Sequence, residues 1–150
     1  MRVLIQRVSM AGVRVENKKV GSIDRGYLLL VGFSKRDDKA IVDKIVDKII
    51  GLRIFEDDSN KMNLSLKEIA GSILSISQFT LYADYTSGRR PGFQDALEYE
   101  KAAKMYDYFN NCLLYNNIKV EKGIFGANMQ VELINDGPVT IMIDSDSLKK

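Results

Sequence analysis

The 150-residue sequence contains no histidine and a single cysteine, Cys112. Without histidine, neither a Ser-His-Asp triad nor a Cys-His pair can form within the chain. Because structural and catalytic zinc sites depend mainly on cysteine and histidine, a zinc site here would need carboxylate ligands almost alone. We therefore expect no zinc site, and we also predict no other metal and no cofactor. An enzyme with this sequence must activate its attacking group without imidazole.

Long apolar segments are also missing. The longest apolar run covers residues 27–31, whereas a membrane-spanning helix needs about 20 residues. The first residues show no segment typical of a signal peptide, and one cysteine excludes an internal disulfide framework. These absences predict a cytoplasmic protein with no membrane partner. The net charge of +2 neither demands nor excludes an RNA partner, since a local basic patch can bind RNA.

Hydrophobic residues make up 45% of the sequence and charged residues 28%, which predicts one globular domain over residues 1–150. Apolar spacing predicts two helices, from Asp37-Asp38 to Gly51 and over residues 95–114. We expect an α+β fold, an antiparallel-rich, barrel-like β-sheet with two main helices, because strands outnumber helices and their spacing leaves little room for crossovers. Predicted strands cover much of residues 3–31, with a hairpin tip at Asn17-Lys18, and residues 52–55, 72–81, 118–121, 128–134 and 139–143.

The segment Ser77-Gln78-Phe79-Thr80 places three polar side chains in an otherwise apolar predicted strand. A buried hydroxyl or amide without a partner costs roughly 1–3 kcal/mol, so such a cluster needs a local partner or a function. From spacing alone, an ordinary strand with one solvated face is the simpler interpretation.

The dipeptide Gly137-Pro138 contains one of only two prolines in the chain. A cis X-Pro bond costs only about 0.5–1 kcal/mol relative to trans, and glycine adopts conformations closed to other residues. Taken alone, the dipeptide indicates a plain turn before the strand at residues 139–143.

The loop from Ser87 to Phe93 carries two adjacent guanidinium groups, Arg89 and Arg90. Guanidinium groups suit contact with phosphate, but a solvated basic loop explains the pattern equally well. The pairs Lys18-Lys19 and Lys35-Arg36 are interpreted as solvated faces. Residues Phe125, Met129 and Cys112 would ordinarily pack in the core.

Several segments in a fixed order resemble one known family, the D-aminoacyl-tRNA deacylases. They are MRVLIQRV at the start, KMNLSL, SQFTLYAD, GRRPGF and FGANMQVELINDGPVT. The resemblance covers essentially the whole chain. The combination of SQFTL with NDGPVT at this separation is highly specific, whereas either segment alone is weak.

The resemblance implies a hydrolase that cleaves the ester between a D-amino acid and the terminal ribose of tRNA. It also implies removal of glycine from mischarged tRNA-Ala, a homodimer, and catalysis without a metal. In the family, a cis Gly137-Pro138 dipeptide reaches into the partner's site and selects handedness. A rigid backbone wall can exclude an L side chain and still accept D and glycine. The resemblance assigns the rest of the pocket lining to Ser77, Gln78, Phe79 and Thr80, and to Phe125 and Met129.

Two mechanisms are compatible with the missing histidine. Thr80 could be the nucleophile, although no conventional base is evident for it. Alternatively, the 2′-hydroxyl of the substrate ribose helps to activate water, and backbone N–H groups near Phe79 and Thr80 stabilise the oxyanion. We favour the second mechanism. Two rival functions stay open: an RNA-binding dimer without activity that uses Arg89 and Arg90, and a different hydrolase with Thr80 as nucleophile.

Overall fold

A computed structural model describes residues 1–148 of the chain. It contains eight strands, two α-helices and two short 3-10 turns within that range. The strands are β1 (Arg2–Val15), β2 (Lys18–Ile23), β3 (Gly26–Gly32), β4 (Phe55–Glu56), β5 (Met62–Leu64), β6 (Ser72–Ser77), β7 (Lys119–Lys122) and β8 (Gln130–Asp144). The helices are α1 (Lys39–Gly51) and α2 (Tyr99–Tyr115), and the 3-10 turns are Phe79–Tyr82 and Ser145–Ser147.

Six strands form one mixed sheet in the order β2-β1-β3-β6-β7, with β8 paired to the long strand β1. β1 is antiparallel to β2, β3 and β8. β2 also lies against β6 and β7, so the sheet is nearly closed into a barrel. The structure confirms the predicted α+β fold with an antiparallel-rich, barrel-like sheet, two main helices and a single domain.

Two strand pairings are parallel, which the sequence did not predict. β3 pairs with β6, and β6 pairs with β7. Each parallel connection contains one helix, α1 in the first and α2 in the second. A parallel pair needs a crossover of a dozen or more residues, and these helical segments supply it.

Helix α1 begins as the sequence predicts. The Asp38 side chain caps the helix by accepting a hydrogen bond of 2.8 Å from the Ile41 N–H. Its buried residues recur at helical spacing, and they are Val42, Ile45, Val46 and Ile49. Gly51 is the last helical residue and Leu52 the C-cap. The second helix starts at Tyr99, four residues later than predicted.

Three strand boundaries differ from the prediction. The hairpin tip is Glu16-Asn17, and both residues have positive φ, as a two-residue type I′ turn requires. Strand β6 ends at Ser77, and the next residues leave the sheet as a 3-10 turn rather than continuing the strand to Leu81. β8 is one strand, where the sequence predicted two strands and a loop.

The main hydrophobic core lies between the sheet and the two helices, and it includes Tyr27, Phe55 and Phe109, each 0% exposed. A second cluster fills the opposite face of the sheet around Val8, Leu28 and Leu74. Because both faces of β3 are covered, its residues between the terminal glycines are apolar without alternation. Within residues 1–148, neither helix is long and apolar enough to cross a membrane.

Candidate active site

An open groove of about 720 Å³ lies where β3 and β6 end and α2 begins. Its wall contains two segments that are distant in sequence, residues 77–79 and residues 125–129. The structure therefore brings together five of the predicted site residues, namely Ser77, Gln78, Phe79, Phe125 and Met129. The lining that the sequence did not predict includes residues 31–33, Phe93 and residues 96–99.

The end of β6 places residues 77–79 at this groove. The Gln78 N–H donates to the Val31 carbonyl over 2.7 Å, which extends the pairing with β3 by one residue. The backbone then bends into the 3-10 turn that begins at Phe79. The Phe79 ring is 57% exposed and packs edge-to-face on Phe93 at 4.9 Å. The sheet thus holds the residue before the 3-10 turn, and the Phe79 side chain at its start is exposed to solvent.

Two backbone donors at this turn are free. The N–H groups of Leu81 and Ala83 donate to the carbonyls of Gln78 and Thr80. Among residues 1–148, neither the Phe79 N–H nor the Thr80 N–H has an acceptor within hydrogen-bond distance. The first N–H groups of a helical turn lack an internal partner. These two can therefore donate to a negatively charged oxygen of a ligand.

The Thr80 hydroxyl lies at the exposed rim, just outside the groove lining. Its oxygen is 2.5 Å from the Gln78 side-chain amide. An amide does not accept a proton at neutral pH. In the part of the chain that the structure describes, the hydroxyl has no other side-chain partner. The arrangement thus offers Thr80 no general base.

Aromatic rings support the opposite wall of the groove. Phe125 packs edge-to-face on Tyr99 at 5.1 Å and lies against Tyr106 at 5.7 Å. The Tyr106 hydroxyl donates to the Ser75 carbonyl over 2.7 Å. Burial raises the pKa of Tyr106, so the phenol stays protonated and keeps donating. This bond ties α2 to β6 and fixes the ring on which Phe125 rests.

The Gly137-Pro138 peptide bond is cis. Both residues are exposed, and neither lines the groove of its own chain. They lie in a bulge of β8, because Gln6 of β1 pairs with Thr140 while Val8 pairs with Asn135. Gly137 has a φ of +126°, which other residues rarely adopt.

Arg7 holds this bulge and was missed by the sequence reasoning. Its side chain is only 5% exposed, and it donates to the carbonyls of Ile54 (2.7 Å) and Asp136 (3.1 Å). The Asp136 carboxylate lies 3.6 Å from the same guanidinium. The sequence did contain a sign of this role, since strand alternation places Arg7 on the same face of β1 as Val3 and Ile5. A charged residue at an inward position predicts a buried polar partner.

Arg89 and Arg90 lie in an exposed loop and do not line the groove. The loop is closed by two backbone hydrogen bonds between Asp84 and Gly92, of 2.8 and 2.7 Å. It leads directly to Phe93, which does line the groove. The predicted phosphate contact thus lies on a loop next to the site and stays a prediction.

Cys112 lies apart from the groove, between the two helices. Its sulfur is 3.6 Å from the Asp43 carboxylate, and burial raises the pKa of its thiol. A neutral thiol packed beside the main core agrees with the predicted packing role. Across residues 1–148, no three histidine, cysteine or acidic residues lie close enough to hold a metal ion.

Comparisons with known proteins agree on one family. Residues 4–144 match the sequence model of the family described as D-Tyr-tRNA(Tyr) deacylase. The chain is 53% identical to a D-aminoacyl-tRNA deacylase of Listeria monocytogenes serotype 4b over 150 residues, which cover 100% of both chains. It is 50% identical to a D-aminoacyl-tRNA deacylase of Clostridium perfringens, with 97% of each chain covered.

Two solved structures share the fold. One, described as c-Myc DNA Unwinding Element Binding Protein, is 37% identical with a TM-score of 0.90 and covers 96% of this chain and 98% of its own. The other, described as a probable eukaryotic D-amino acid tRNA deacylase, has a TM-score of 0.82 at 22% identity, covering 95% of this chain and 97% of its own. The full-length match in sequence shows that the chain belongs to the D-Tyr-tRNA(Tyr) deacylase family and is a hydrolase of that family.

Proposed function

We propose that this protein hydrolyses the ester bond between a D-amino acid and the terminal ribose of tRNA, releasing tRNA and the free amino acid. The observation that carries the proposal is the pair of free N–H groups on Phe79 and Thr80 at the rim of the groove. An ester carbonyl gains negative charge on oxygen as water attacks, and preorganised N–H donors stabilise that charge. The full-length similarity to proteins named D-aminoacyl-tRNA deacylase supports the substrate.

Water is the attacking group in this proposal, and the substrate supplies the assistance. The ribose 2′-hydroxyl lies next to the ester oxygen, so it can orient a water molecule and receive its proton. As the 2′-hydroxyl takes the proton of water, it passes its own proton to the 3′ oxygen, which leaves as a hydroxyl when the ester bond breaks. This route fits a chain without histidine and a Thr80 hydroxyl whose side-chain partner is an amide. The mechanism needs no metal or other cofactor.

Selection of handedness requires a wall that the single chain lacks. The groove is open to solvent, and Gly137-Pro138 lies outside it. In a homodimer, the exposed dipeptide of one protomer would enter the groove of its partner. Main-chain atoms there would clash with an L side chain but leave room for a D side chain. Glycine has no side chain, so glycine mischarged on tRNA-Ala would also be removed.

The exposed edge of β8 supports the homodimer. This strand of 15 residues pairs with β1 on one edge, and residues 1–148 contain no strand on its other edge. Its side chains include the exposed Ile134 and Met142. A long edge strand with exposed apolar residues is a ready surface for pairing with another chain. The bulge with Gly137 and Pro138 lies within this strand, so a second chain that docks here meets it.

The proposed partner is the aminoacylated 3′ end of tRNA in the cytoplasm. Arg89 and Arg90 would contact phosphates, since their loop is next to the groove through Phe93. A basic loop contributes affinity without reading sequence. The enzyme would therefore accept several tRNAs that carry the wrong amino acid.

The deciding experiment compares D-Tyr-tRNA with L-Tyr-tRNA as substrates of the purified protein. The expected result is rapid release of D-tyrosine while L-tyrosine stays attached. Equal release of both would contradict the proposal and favour a different hydrolase. Salt-sensitive tRNA binding without any turnover would favour the RNA-binding alternative. Sedimentation in the same buffer should give a dimer, and a monomer with full D selectivity would rule out the shared site.

A further inference from the structure

A second groove lies beside the first, along the N-terminal half of α2. Its volume is about 550 Å³, and residues 97 and 98 line both grooves. Three lysines, Lys35, Lys101 and Lys104, contribute to its wall. This groove is therefore a basic extension of the candidate active site.

The fold brings these lysines together from two segments. Lys101 and Lys104 are three residues apart on α2, so they lie on the same face of the helix. Lys35 comes from the loop between β3 and α1. Its N–H donates to the Asp95 carbonyl over 3.1 Å, and the Leu97 N–H donates to the Phe33 carbonyl over 2.9 Å. These bonds hold the loop against the segment before α2.

The acidic residues of the groove leave two ammonium groups without a counter-charge. Glu98 pairs with Lys101 at 2.9 Å. The Asp37 side chain is 2% exposed and accepts a hydrogen bond from the Ser34 N–H. Among residues 1–148, no carboxylate lies within 4.0 Å of Lys35 or Lys104, and both side chains are exposed. The groove thus presents free positive charge to solvent.

We propose that this lysine groove binds the phosphates of the single-stranded 3′ end of tRNA, immediately before the nucleotide in the active site. The inference depends on the proposed function, which places the terminal ribose in the first groove. The preceding phosphates must then leave along a neighbouring surface, and the lysine groove is continuous with the first through Leu97 and Glu98. Lysine ammonium groups bind phosphate as point charges and do not read the bases.

The test uses the full-length protein with Lys35→Ala and Lys104→Ala combined. The matched control combines Lys44→Ala and Lys48→Ala, two exposed lysines of α1 that border neither groove. Both double variants lose the same charge. The Kd for uncharged tRNA is measured by fluorescence anisotropy between about 50 and 200 mM salt. Deacylation is measured with D-Tyr-tRNA and with the D-tyrosyl ester of adenosine, which has no phosphate.

For the groove variant we expect the slope of log Kd against log salt concentration to fall by about 2, one for each lysine. The KM for D-Tyr-tRNA rises while kcat is unchanged, and the adenosine ester reacts as with wild type. The control variant keeps the wild-type slope and KM.

An unchanged slope, or the same change in both double variants, would overturn the inference. Equal loss of activity on the adenosine ester would also overturn it, because the lysines would then act on the active site itself. A change of slope that appears only in an Arg89→Ala, Arg90→Ala variant would show that the RNA lies over the arginine loop instead. If wild type cleaves neither ester, the proposed function fails, while the salt slope still decides whether the groove binds RNA.

Discussion

The predicted site includes residues 77–80 and, in the β8 bulge, residues 137–138, but these two segments are held in different ways. The first follows the end of β6 and is fixed by backbone pairing with β3, so its position depends on the sheet. The second is a bulge in an edge strand and is held by side chains: Arg7 donates to the Asp136 carbonyl, and the Asn135 amide donates to the Val139 carbonyl. Residues 77–79 line the groove of their own chain, whereas Gly137 and Pro138 face solvent. Catalysis and selection of handedness should therefore be separable by mutation.

The largest expected effect concerns catalysis at the first segment, residues 77–80, and it is tested by changing the substrate. A D-aminoacyl ester of a terminal 2′-deoxyadenosine lacks the hydroxyl that we assign to water activation. Positioned proton transfer is typically worth about 10²- to 10⁴-fold in rate, so single-turnover hydrolysis should slow by that factor. The ratio of the rate on the ribose ester to the rate on the 2′-deoxyribose ester should be the same in an Arg7→Met variant as in wild type. Equal rates on both esters would eliminate the 2′-hydroxyl mechanism.

The second prediction concerns the bulge. Arg7→Met leaves two carbonyls without this donor, that of the buried Ile54 and that of the half-buried Asp136, at up to about 1–3 kcal/mol for each unsatisfied group. At about 2–4 °C per kcal/mol for a chain of this size, a loss of about 2–6 kcal/mol should lower the Tm by roughly 4–24 °C. Calorimetry measures the Tm. The preference for D over L ester should also fall, while the rate on the D ester changes less.

The matched control is Arg14→Met. Arg14 also lies on β1 and faces β8, but its side chain is 42% exposed and 3.9 Å from Glu132. Exposed ion pairs contribute about 0–1 kcal/mol, so the Tm should change little. If Arg14→Met and Arg7→Met have the same effect on Tm and selectivity, burial of Arg7 is not what holds the bulge.

The third prediction returns to the first segment. Thr80→Ala should lower kcat by less than about tenfold, because the hydroxyl only positions groups near the free N–H donors. Removal of a true hydroxyl nucleophile costs on the order of 10⁶-fold in a serine protease. Single-turnover rates of Thr80→Ala and Thr80→Ser decide whether the Thr80 hydroxyl positions other groups or is the nucleophile. Loss of nearly all activity in the alanine variant, with rescue by serine, would make Thr80 the nucleophile.

The smallest effect is expected at the C-terminal end of β8. Burial raises the pKa of Asp144, but the Asp146 N–H and the Arg2 guanidinium outweigh it, so the net pKa is lowered. A lowered pKa in the folded state adds stability above the unfolded pKa of about 4. That stability is lost as the pH falls through the folded pKa.

Asp144→Asn should therefore reduce the Tm slightly at pH 7, and the difference from wild type should vanish in acid. Thermal scans from neutral pH to below the usual carboxyl range measure it. Selectivity for D over L should not change, because the bulge is held by Arg7. A difference in Tm that stays constant with pH would show that the charge of Asp144 contributes nothing.

Part of the fold could be predicted because it depends on local patterns. The Asp38 cap and the apolar stripe of α1 are both readable from neighbouring residues. The end of β6 could not be located in the same way, since Phe79 and Leu81 continue the alternation of a strand. Where the chain leaves the sheet, Phe79 packs on Phe93, a contact between residues 14 positions apart that no local pattern reports.

The candidate site, like the fold, could be predicted only in part from local patterns. Spacing alone left the polar residues of β6 as one face of an ordinary strand, and only the resemblance to a family joined them to Phe125 and Met129. Neither reasoning included Phe93 or Tyr99, which line the groove. Ordinary aromatic residues give no sign of the cavity they border until the chain is folded.

The sequence by itself determined which chemistry is available. The absence of histidine removes imidazole from any mechanism, and the order of the motifs identifies the family over nearly the whole length. Only the tertiary structure decided where that chemistry can act. The free donors of Phe79 and Thr80, the burial of Arg7 under the β8 bulge and the lysine groove each depend on residues that are distant in the chain. Hydrogen bonding, burial and net local charge are properties of neighbours in space, and sequence patterns report only neighbours along the chain.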